Sequence, residues 1–132
     1  MPSKRSISID STSGYKGIDN LEIMREAENY NCFLLNTVLE YASLGKRIVD
    51  FGAGIGTFAL RLKQLGYKIT CIENDAFLKN QLIKSGLDCV DSLSDIEDNS
   101  IDYIYTLNVL EHIEKDFETL LVLHKKICSD GI

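Results

Sequence analysis

Apolar residues follow two spacings along this chain, and the spacings predict its elements. Over residues 21–42 they recur at three- and four-residue steps, which predicts an amphipathic helix that ends at Gly45. Further on, short apolar runs alternate with helical stretches. The runs predict four strands, at residues 47–51, 68–73, 87–90 and 101–106. The helical stretches predict three helices. One covers residues 57–65, one begins at the cap Asp75 and runs to Ser85, and the last contains Phe117 and ends near Gly131.

Strands that are separated by helices pair in parallel through right-handed crossovers, so the pattern predicts an α/β fold. Residues 1–20 are rich in Ser, Thr, Gly and Asp without a sustained period, and we expect a flexible leader there or an arm that becomes ordered on a ligand. The domain is then residues 21–132. The last helix has an apolar stripe that we expect to face the core, formed by Phe117, Leu120, Leu121, His124 and Ile127. On that stripe His124 is expected to be packed rather than catalytic.

Glycines stand at alternate positions directly after the first strand, at Gly52, Gly54 and Gly56. Such a loop lets a ligand approach the backbone, and the following helix offers unpaired N–H groups. A plain turn is the alternative for the glycines alone. Glu73 ends the second strand, twenty-one positions after Gly52, where a doubly wound fold places the acceptor for ribose hydroxyls. Together they predict a nucleotide site; a solvated strand-end glutamate is the alternative for Glu73.

The spacing is Gly-x-Gly-x-Gly rather than the nicotinamide form, and Asp50 stands two positions ahead of Gly52. Residues 48–57, IVDFGAGIGT, resemble motif I of the class I S-adenosylmethionine-dependent methyltransferases. Residues 73–75, 90–92 and 102–113 are similar to later motifs of that family, the last containing the sequence Leu-Glu-His. The resemblance runs from about residue 46 to 115 and points to the branch that acts on small molecules and lipids.

The resemblance implies S-adenosylmethionine as cofactor and S-adenosylhomocysteine as product. It assigns the methionine part to the glycine loop, the ribose to Glu73 and the adenine amino group to Asp91, although acidic loops are often only solvated. Asp50 would hold the loop or, indirectly, the methionine ammonium. The positions that it implies at the cofactor are Tyr30, Asp50, Gly52, Ala53, Gly54, Gly56, Glu73, Asn74, Asp91, Ser92, Leu107 and Asn108.

Methyl transfer from a sulfonium requires alignment of the reacting atoms and no nucleophilic side chain. A general base is needed only for a protonated acceptor, and the weak candidates are Glu111 and His112. The alternative for His112 is a helix-start histidine that bonds the backbone. No metal site is expected.

The composition of the chain excludes some classes of binding partner. Twenty acidic residues against fourteen basic ones give a net charge of −6, which argues against nucleic acid, as does the absence of an Asp/Asn-Pro-Pro-Tyr signature. No run of apolar residues is long enough for a membrane span or a signal peptide, so we expect a cytoplasmic protein with a small-molecule or lipid-like acceptor. The four scattered cysteines predict buried, reduced thiols.

The family carries seven strands, whereas four are predicted here. The resemblance therefore implies a Rossmann-like parallel sheet with helices on both faces and strand order 3-2-1-4, lacking its C-terminal part. Residues 101–106 would then form an open apolar edge that pairs with a second copy or another chain. A non-catalytic cofactor-binding fragment or subunit is the alternative function, and a nicotinamide-dependent enzyme is a weaker third.

Overall fold

The computed structural model describes Ile23 and residues 26–132. It divides into two compact units, Met1–Thr37 and Val38–Ile132, which are described separately. A first helix, α1, covers residues 26–40, and its Thr37 hydroxyl donates to the Phe33 carbonyl at 2.9 Å. The expected leader at residues 1–20 and the start of the first helix lie outside the described residues.

Four parallel strands form one sheet. They are β1 (Arg47–Phe51), β2 (Lys68–Ile72), β3 (Asp88–Val90) and β4 (Tyr103–Tyr105). Their order is β3-β2-β1-β4, which confirms the predicted 3-2-1-4 order of a Rossmann-like sheet. β3 and β4 are shorter than the apolar runs that predicted them. Leu87 donates its N–H to the carbonyl of Leu82, in the helix that precedes β3, and Ile101 makes only an isolated bridge, to Ile127.

Three more helices follow the strands: α2 (Thr57–Gln64), α3 (Ala76–Lys84) and α4 (Asp116–Lys126). The caps agree with the sequence signals. The Asp75 carboxylate accepts from the Leu78 N–H at 3.0 Å, and Gly66 and Gly86 take φ values of 91° and 87° just after α2 and α3. A short polar side chain therefore sets the start of α3, and glycines set the ends of α2 and α3. α4 ends at Lys126, before the predicted end near Gly131.

The strands present alternate residues to two faces of the sheet. On one face Asp50 lies in register with Cys71 and Tyr105, and the Tyr103 hydroxyl donates to the Val38 carbonyl at 3.0 Å. The other face carries a core of Val49, Ile72 and Ile101 with Phe51, Val90, Leu93, Ile96 and Ile104 around it. Both faces are thus packed near the centre of the sheet.

The buried face of α4 differs from the prediction. Leu123 and Lys126 are buried, whereas Phe117 is 67% exposed and His124 is exposed. The prediction that His124 packs against the core was therefore wrong. The Lys126 ammonium bonds Asp98 at 2.8 Å while its carbon chain lies inside, a position that an apolar stripe does not reveal.

The edge of β4 is not bare. Ile127 bridges Ile101, the Ile104 N–H donates to the Ile132 carbonyl at 2.8 Å, and the Ile132 N–H donates to the Asp102 carbonyl at 2.9 Å. The expectation of an open edge over residues 101–106 is therefore wrong for this part of it, because the segment after α4 folds back along the strand.

Asp102 fixes the start of β4. Its carboxylate accepts from the backbone N–H and Nε of Arg47, at 2.7 and 3.3 Å, and from Cys128 Sγ at 3.3 Å. These bonds lower the pKa of Asp102 to about 2, and the bond from the Arg47 backbone contributes most.

The cysteines differ in burial. Cys71 is buried and Cys89 and Cys128 are half-buried, but Cys32 is exposed, so the prediction of buried thiols was wrong for Cys32. Within the described part of the chain no helix is both long and apolar enough to cross a membrane.

Candidate functional site

The glycine loop leaves β1 through a sharp turn held against β2. The N–H groups of Gly52 and Ala53 both donate to the Ile72 carbonyl, at 2.9 and 3.3 Å. Gly52 has a φ of 80°, and a Cβ there would lie 2.5 Å from Cγ2 of Val109. Only glycine allows this turn together with the close approach of the loop that follows β4.

The other two glycines of the loop serve different purposes. Gly56 (φ 83°) is buried, and a Cβ there would meet Leu82 at 2.6 Å, so its role is packing. Gly54 (φ 59°) faces open space within 4 Å of where its Cβ would be. It is therefore at Gly54 that a ligand could approach the backbone directly.

Glu73 holds this loop. Its Oε1 accepts from the Gly54 N–H at 2.9 Å, and its Oε2 accepts from the Asp75 N–H at 3.0 Å. One carboxylate thus joins the glycine loop to the start of α3. The sequence predicted Glu73 as a ligand contact and missed this bracing role, which depends on the loop folding back over the end of β2. A carboxylate has about four acceptor sites, so two bonds leave capacity for hydroxyl donors.

Asp91 follows β3 and is ion-paired. Its Oδ1 lies 2.7 Å from the ammonium of Lys79 on α3, and that hydrogen bond raises the pKa of Lys79. The neighbouring Ser92 donates its N–H to Asp95 at 3.2 Å, and its hydroxyl lies 2.6 Å from that of Ser94. The Ser92 backbone is therefore occupied in a capping turn rather than open to a ligand.

A cleft of about 680 Å³ opens at the carboxyl ends of the strands. This volume lies within the usual range for small-molecule sites. Six of the predicted cofactor positions line it: Gly52, Glu73, Asn74, Asp91, Ser92 and Asn108. Four others do not: Asp50, Ala53, Gly54 and Gly56. Leu107 is half-buried outside the lining, and Tyr30 belongs to the other unit, where it is half-exposed.

The far wall of the cleft was not predicted. It is built by α4 and the residues just before it, and contributes Ile113, Lys115, Glu118, Thr119 and Val122. The last four recur at steps of three, one and three residues, which places them on one helix face. That spacing is present in the sequence, but the apolar stripe of the same helix lies on the opposite side and predicted that side to be the buried one.

The two candidate bases differ in position. Both belong to a short 3₁₀ turn, Leu110–His112, and His112 Nε2 lies 3.9 Å from Glu111 Oε1. His112 lines the cleft with a side chain that is 76% exposed, whereas Glu111 is not part of the lining. Asn108, in the left-handed region at φ 58°, makes the bend that leads from β4 into this turn. Geometry therefore favours His112 over Glu111.

Asp50 lies under the site, in the interior of the sheet. It is 4% exposed and accepts from the Tyr105 hydroxyl at 2.8 Å. Burial raises the pKa of Asp50 to about 6, partly offset by the Tyr105 hydrogen bond and increased by the charge of Glu73. Burial and the nearby Asp50 also raise the pKa of Tyr105. Asp50 could therefore influence a ligand only indirectly, through the glycine loop.

No group of three or more potential metal ligands occurs among the side chains that the structure describes. The charges at the cleft are instead carboxylates at one wall, Glu73 and Asp91, and a mixture of Lys115 and Glu118 at the other.

Solved structures that superpose on this chain include SAM-dependent methyltransferases. A TehB-like SAM-dependent methyltransferase from Corynebacterium glutamicum superposes with a TM-score of 0.64 at 23% identity, over 74% of this chain and 57% of that one. A SAM-dependent methyltransferase from Archaeoglobus fulgidus gives 0.65 at 19% identity, over 76% and 48%. Phosphoethanolamine N-methyltransferase 2 from Haemonchus contortus, solved with S-adenosyl-L-methionine, gives 0.66 at 18%, over 78% and 26%.

The family model described as "Methyltransferase domain" matches residues 23–131, so the chain belongs to that family. Its fold is that of the class I S-adenosylmethionine-dependent methyltransferases. The chain spans about half the length of the first two structures. No curated protein sequence matches it.

Proposed function

We propose that this chain binds S-adenosylmethionine in the cleft and takes part in methyl transfer to a small-molecule or lipid-like acceptor. One observation carries the proposal: six residues from four separate segments, each following a strand, meet around a single cleft at the carboxyl edge of the sheet. Open α/β sheets bind their ligands at this edge. Membership of the methyltransferase domain family supports S-adenosylmethionine as the ligand of that cleft and methyl transfer as the reaction.

The residues at the cleft suit an adenosyl group. Phe51, Ile72 and Leu93 offer apolar surface for a flat base, and these side chains belong to or pack against the sheet core. Carboxylates at Glu73 and Asp91 offer acceptors for the donors of such a ligand, its ribose hydroxyls and its amino group. Gly54 is not one of the lining residues, but it lies two positions after Gly52, which is. With open space in place of a side chain, Gly54 suits the methionine end of a ligand that extends from the cleft along the glycine loop.

The cofactor supplies an electrophilic methyl group on a sulfonium. This chain would contribute position: fixed placement of two reactants is worth about 7–11 kcal/mol of barrier in favourable systems. His112 would accept a proton from an acceptor that carries one, since it lines the cleft with an exposed side chain and histidine is the most common general base in enzymes.

The α4 wall is the proposed acceptor side. Its lining residues include Lys115, Glu118 and Thr119, which carry a cation, an anion and a hydroxyl, with Val122 as apolar surface. A compact acceptor with a polar group suits such a wall, and the net charge of −6 disfavours a polyanionic one.

Titration calorimetry with S-adenosylhomocysteine tests the proposal. The informative variant is Gly54→Ala, and Gly45→Ala is its matched control, because both glycines have positive φ and open space around the missing Cβ. The two variants therefore share the backbone strain of alanine in the left-handed region, about 1–2 kcal/mol. We expect Gly54→Ala to weaken binding by about tenfold or more, equivalent to about 1.4 kcal/mol, and Gly45→Ala to leave it unchanged.

Absence of binding to the unaltered protein at high micromolar concentration would overturn the proposal. Equal affinity in the two glycine variants would mean that the ligand does not approach the backbone at Gly54.

A further inference from the structure

We propose that Lys79 is a positioning residue for the adenine end of the cofactor: it holds the Asp91 carboxylate so that its second oxygen can accept from the exocyclic amino group. This inference rests on the function proposed above. Lys79 lies on α3, outside the motifs that the sequence pointed to, and is absent from the cleft lining.

The geometry separates the two residues by role. Asp91 lines the cleft and its side chain is 67% exposed, so the carboxylate is open to a ligand. The Lys79 side chain is 27% exposed and is not part of the cleft lining, and its ammonium lies 2.7 Å from Oδ1 of Asp91. Among the described residues Oδ2 of Asp91 has no hydrogen-bond partner, so one oxygen is held and the other remains available.

The charge pattern adds a reason for such a tether. Asp91 belongs to an acidic stretch that also contains Asp95, Glu97 and Asp98. Asp98 is bonded to Lys126 and Asp95 to Ser92, so each of these two is held by its own partner, and Lys79 is the partner of Asp91. Without Lys79, an exposed carboxylate beside other carboxylates would turn toward water and rotate freely.

A tethered carboxylate binds an amino group better because its rotamer is fixed before the ligand arrives. The opposite outcome is equally definite: if Lys79 competes with the ligand for Asp91, its removal strengthens binding. The sign of the change therefore decides the role.

The experiment measures the affinity of the full chain for two ligands. These are S-adenosylhomocysteine and its 6-deamino analogue, in which hydrogen replaces the amino group of adenine. The variants are Lys79→Met, which keeps much of the chain volume and removes the charge, and Lys79→Arg, which keeps a donor to the carboxylate. Lys84→Met on the last turn of the same helix is the control for loss of one positive charge from α3.

We expect Lys79→Met to weaken S-adenosylhomocysteine binding about three- to fivefold, as for a partly exposed ion pair, and to leave the affinity for the 6-deamino analogue unchanged. Lys79→Arg should restore most of the affinity, and Lys84→Met should match the unaltered protein for both ligands. A thermal unfolding scan of each variant establishes that it is folded.

Three results would overturn the inference: tighter or unchanged binding of S-adenosylhomocysteine to Lys79→Met, equal weakening for both ligands, or equal weakening by Lys84→Met. Failure of the proposed function is a distinct outcome, since the unaltered protein would then bind neither ligand. If Lys79→Met is unfolded, the Lys79→Arg variant and the Asp91→Ala variant carry the comparison. Asp91→Ala has no side-chain acceptor, so it should lose the preference for the amino-bearing ligand, and a preference that persists counts against the inference.

Discussion

Asp50 is a carboxyl group that the fold holds inside the sheet at a cost. It is 4% exposed, its carboxylate accepts from the Tyr105 hydroxyl, and its pKa is about 6. The unfolded chain exposes the same group to water, where its pKa is about 3.9. The folded protein therefore binds the proton more tightly than the unfolded chain does.

The stability contributed by this group should fall as pH rises. Below about pH 4 both states are protonated; between pH 4 and 6 the unfolded chain ionises first, so the free energy of unfolding decreases, by about 3 kcal/mol in total. In Asp50→Asn this loss should disappear. Denaturant unfolding of both proteins at several pH values between 4 and 7 measures it as a difference that grows with pH.

Asp102→Asn is the matched control for that series. The pKa of Asp102 is lowered to about 2, so its stabilisation is present above pH 4 and is lost as pH falls toward 2. Between pH 4.5 and 7 its difference from the unaltered protein should stay constant. The same slope in all three proteins would contradict the burial of a titrating Asp50.

At the scale of elements, hydrogen bonds and packing join the segments that follow three of the four strands at the site. Glu73, directly after β2, accepts from the N–H of Gly54 in the loop after β1 and from the N–H of Asp75, the cap of α3. Val109, after β4, packs against Gly52. The loops are therefore braced against one another before any ligand is present, which reduces the ordering needed for binding.

Removing the Glu73 brace should free the glycine loop. In Glu73→Ala the N–H groups of Gly54 and Asp75 lose a charged acceptor, worth about 1.5–3 kcal/mol each, so we expect their amide hydrogens to exchange about tenfold faster or more. The amide of Gly66, which donates to Lys63 at the end of α2, is the internal control. Hydrogen exchange followed by NMR gives all three rates without a ligand.

Glu73→Gln sharpens that measurement. Its amide retains one acceptor oxygen, so one of the two N–H groups should stay protected and the other should not. Unchanged exchange at Gly54 in Glu73→Ala would mean that the brace does not hold the loop in solution.

The sequence predicted most elements and fewer of their contacts. The glycine spacing and the cap at Asp75 act within a few residues of themselves, so the loop and the start of α3 could be located in advance. The buried side of α4 could not, because Leu123 and Lys126 are selected by the surface against which the helix packs. The α4 wall of the cleft was missed for the same reason.

At the scale of the whole molecule, the sheet interior is closed to solvent while the carboxyl edge is open. Cys71 shows that the sheet interior is closed, because its side chain is fully buried. Burial raises the pKa of the Cys71 thiol to about 12, and the charge of Asp50 contributes further. Cys32, by contrast, is exposed. Thiols react as thiolates, so both burial and pKa protect Cys71.

Cys71 should therefore react only when the domain unfolds. With a thiol reagent at neutral pH we expect rapid labelling of Cys32 and none of Cys71 in the native protein, and labelling of both in concentrated guanidinium. Peptide mass spectrometry identifies the sites, and Cys32→Ser removes the fast phase as a control. Native labelling of Cys71 at the rate of Cys32 would contradict a closed sheet.

The sequence by itself determined the order of strands and helices, the glycine loop and the acidic residues that follow β2 and β3, because periodicity and turn chemistry act over a few neighbouring positions. Only the tertiary structure decided what those residues meet: Tyr105 beside Asp50, Gly54 against Glu73, Lys79 behind Asp91 and the α4 wall across the cleft. Such pairings join positions distant in the chain, and they are set by how elements pack.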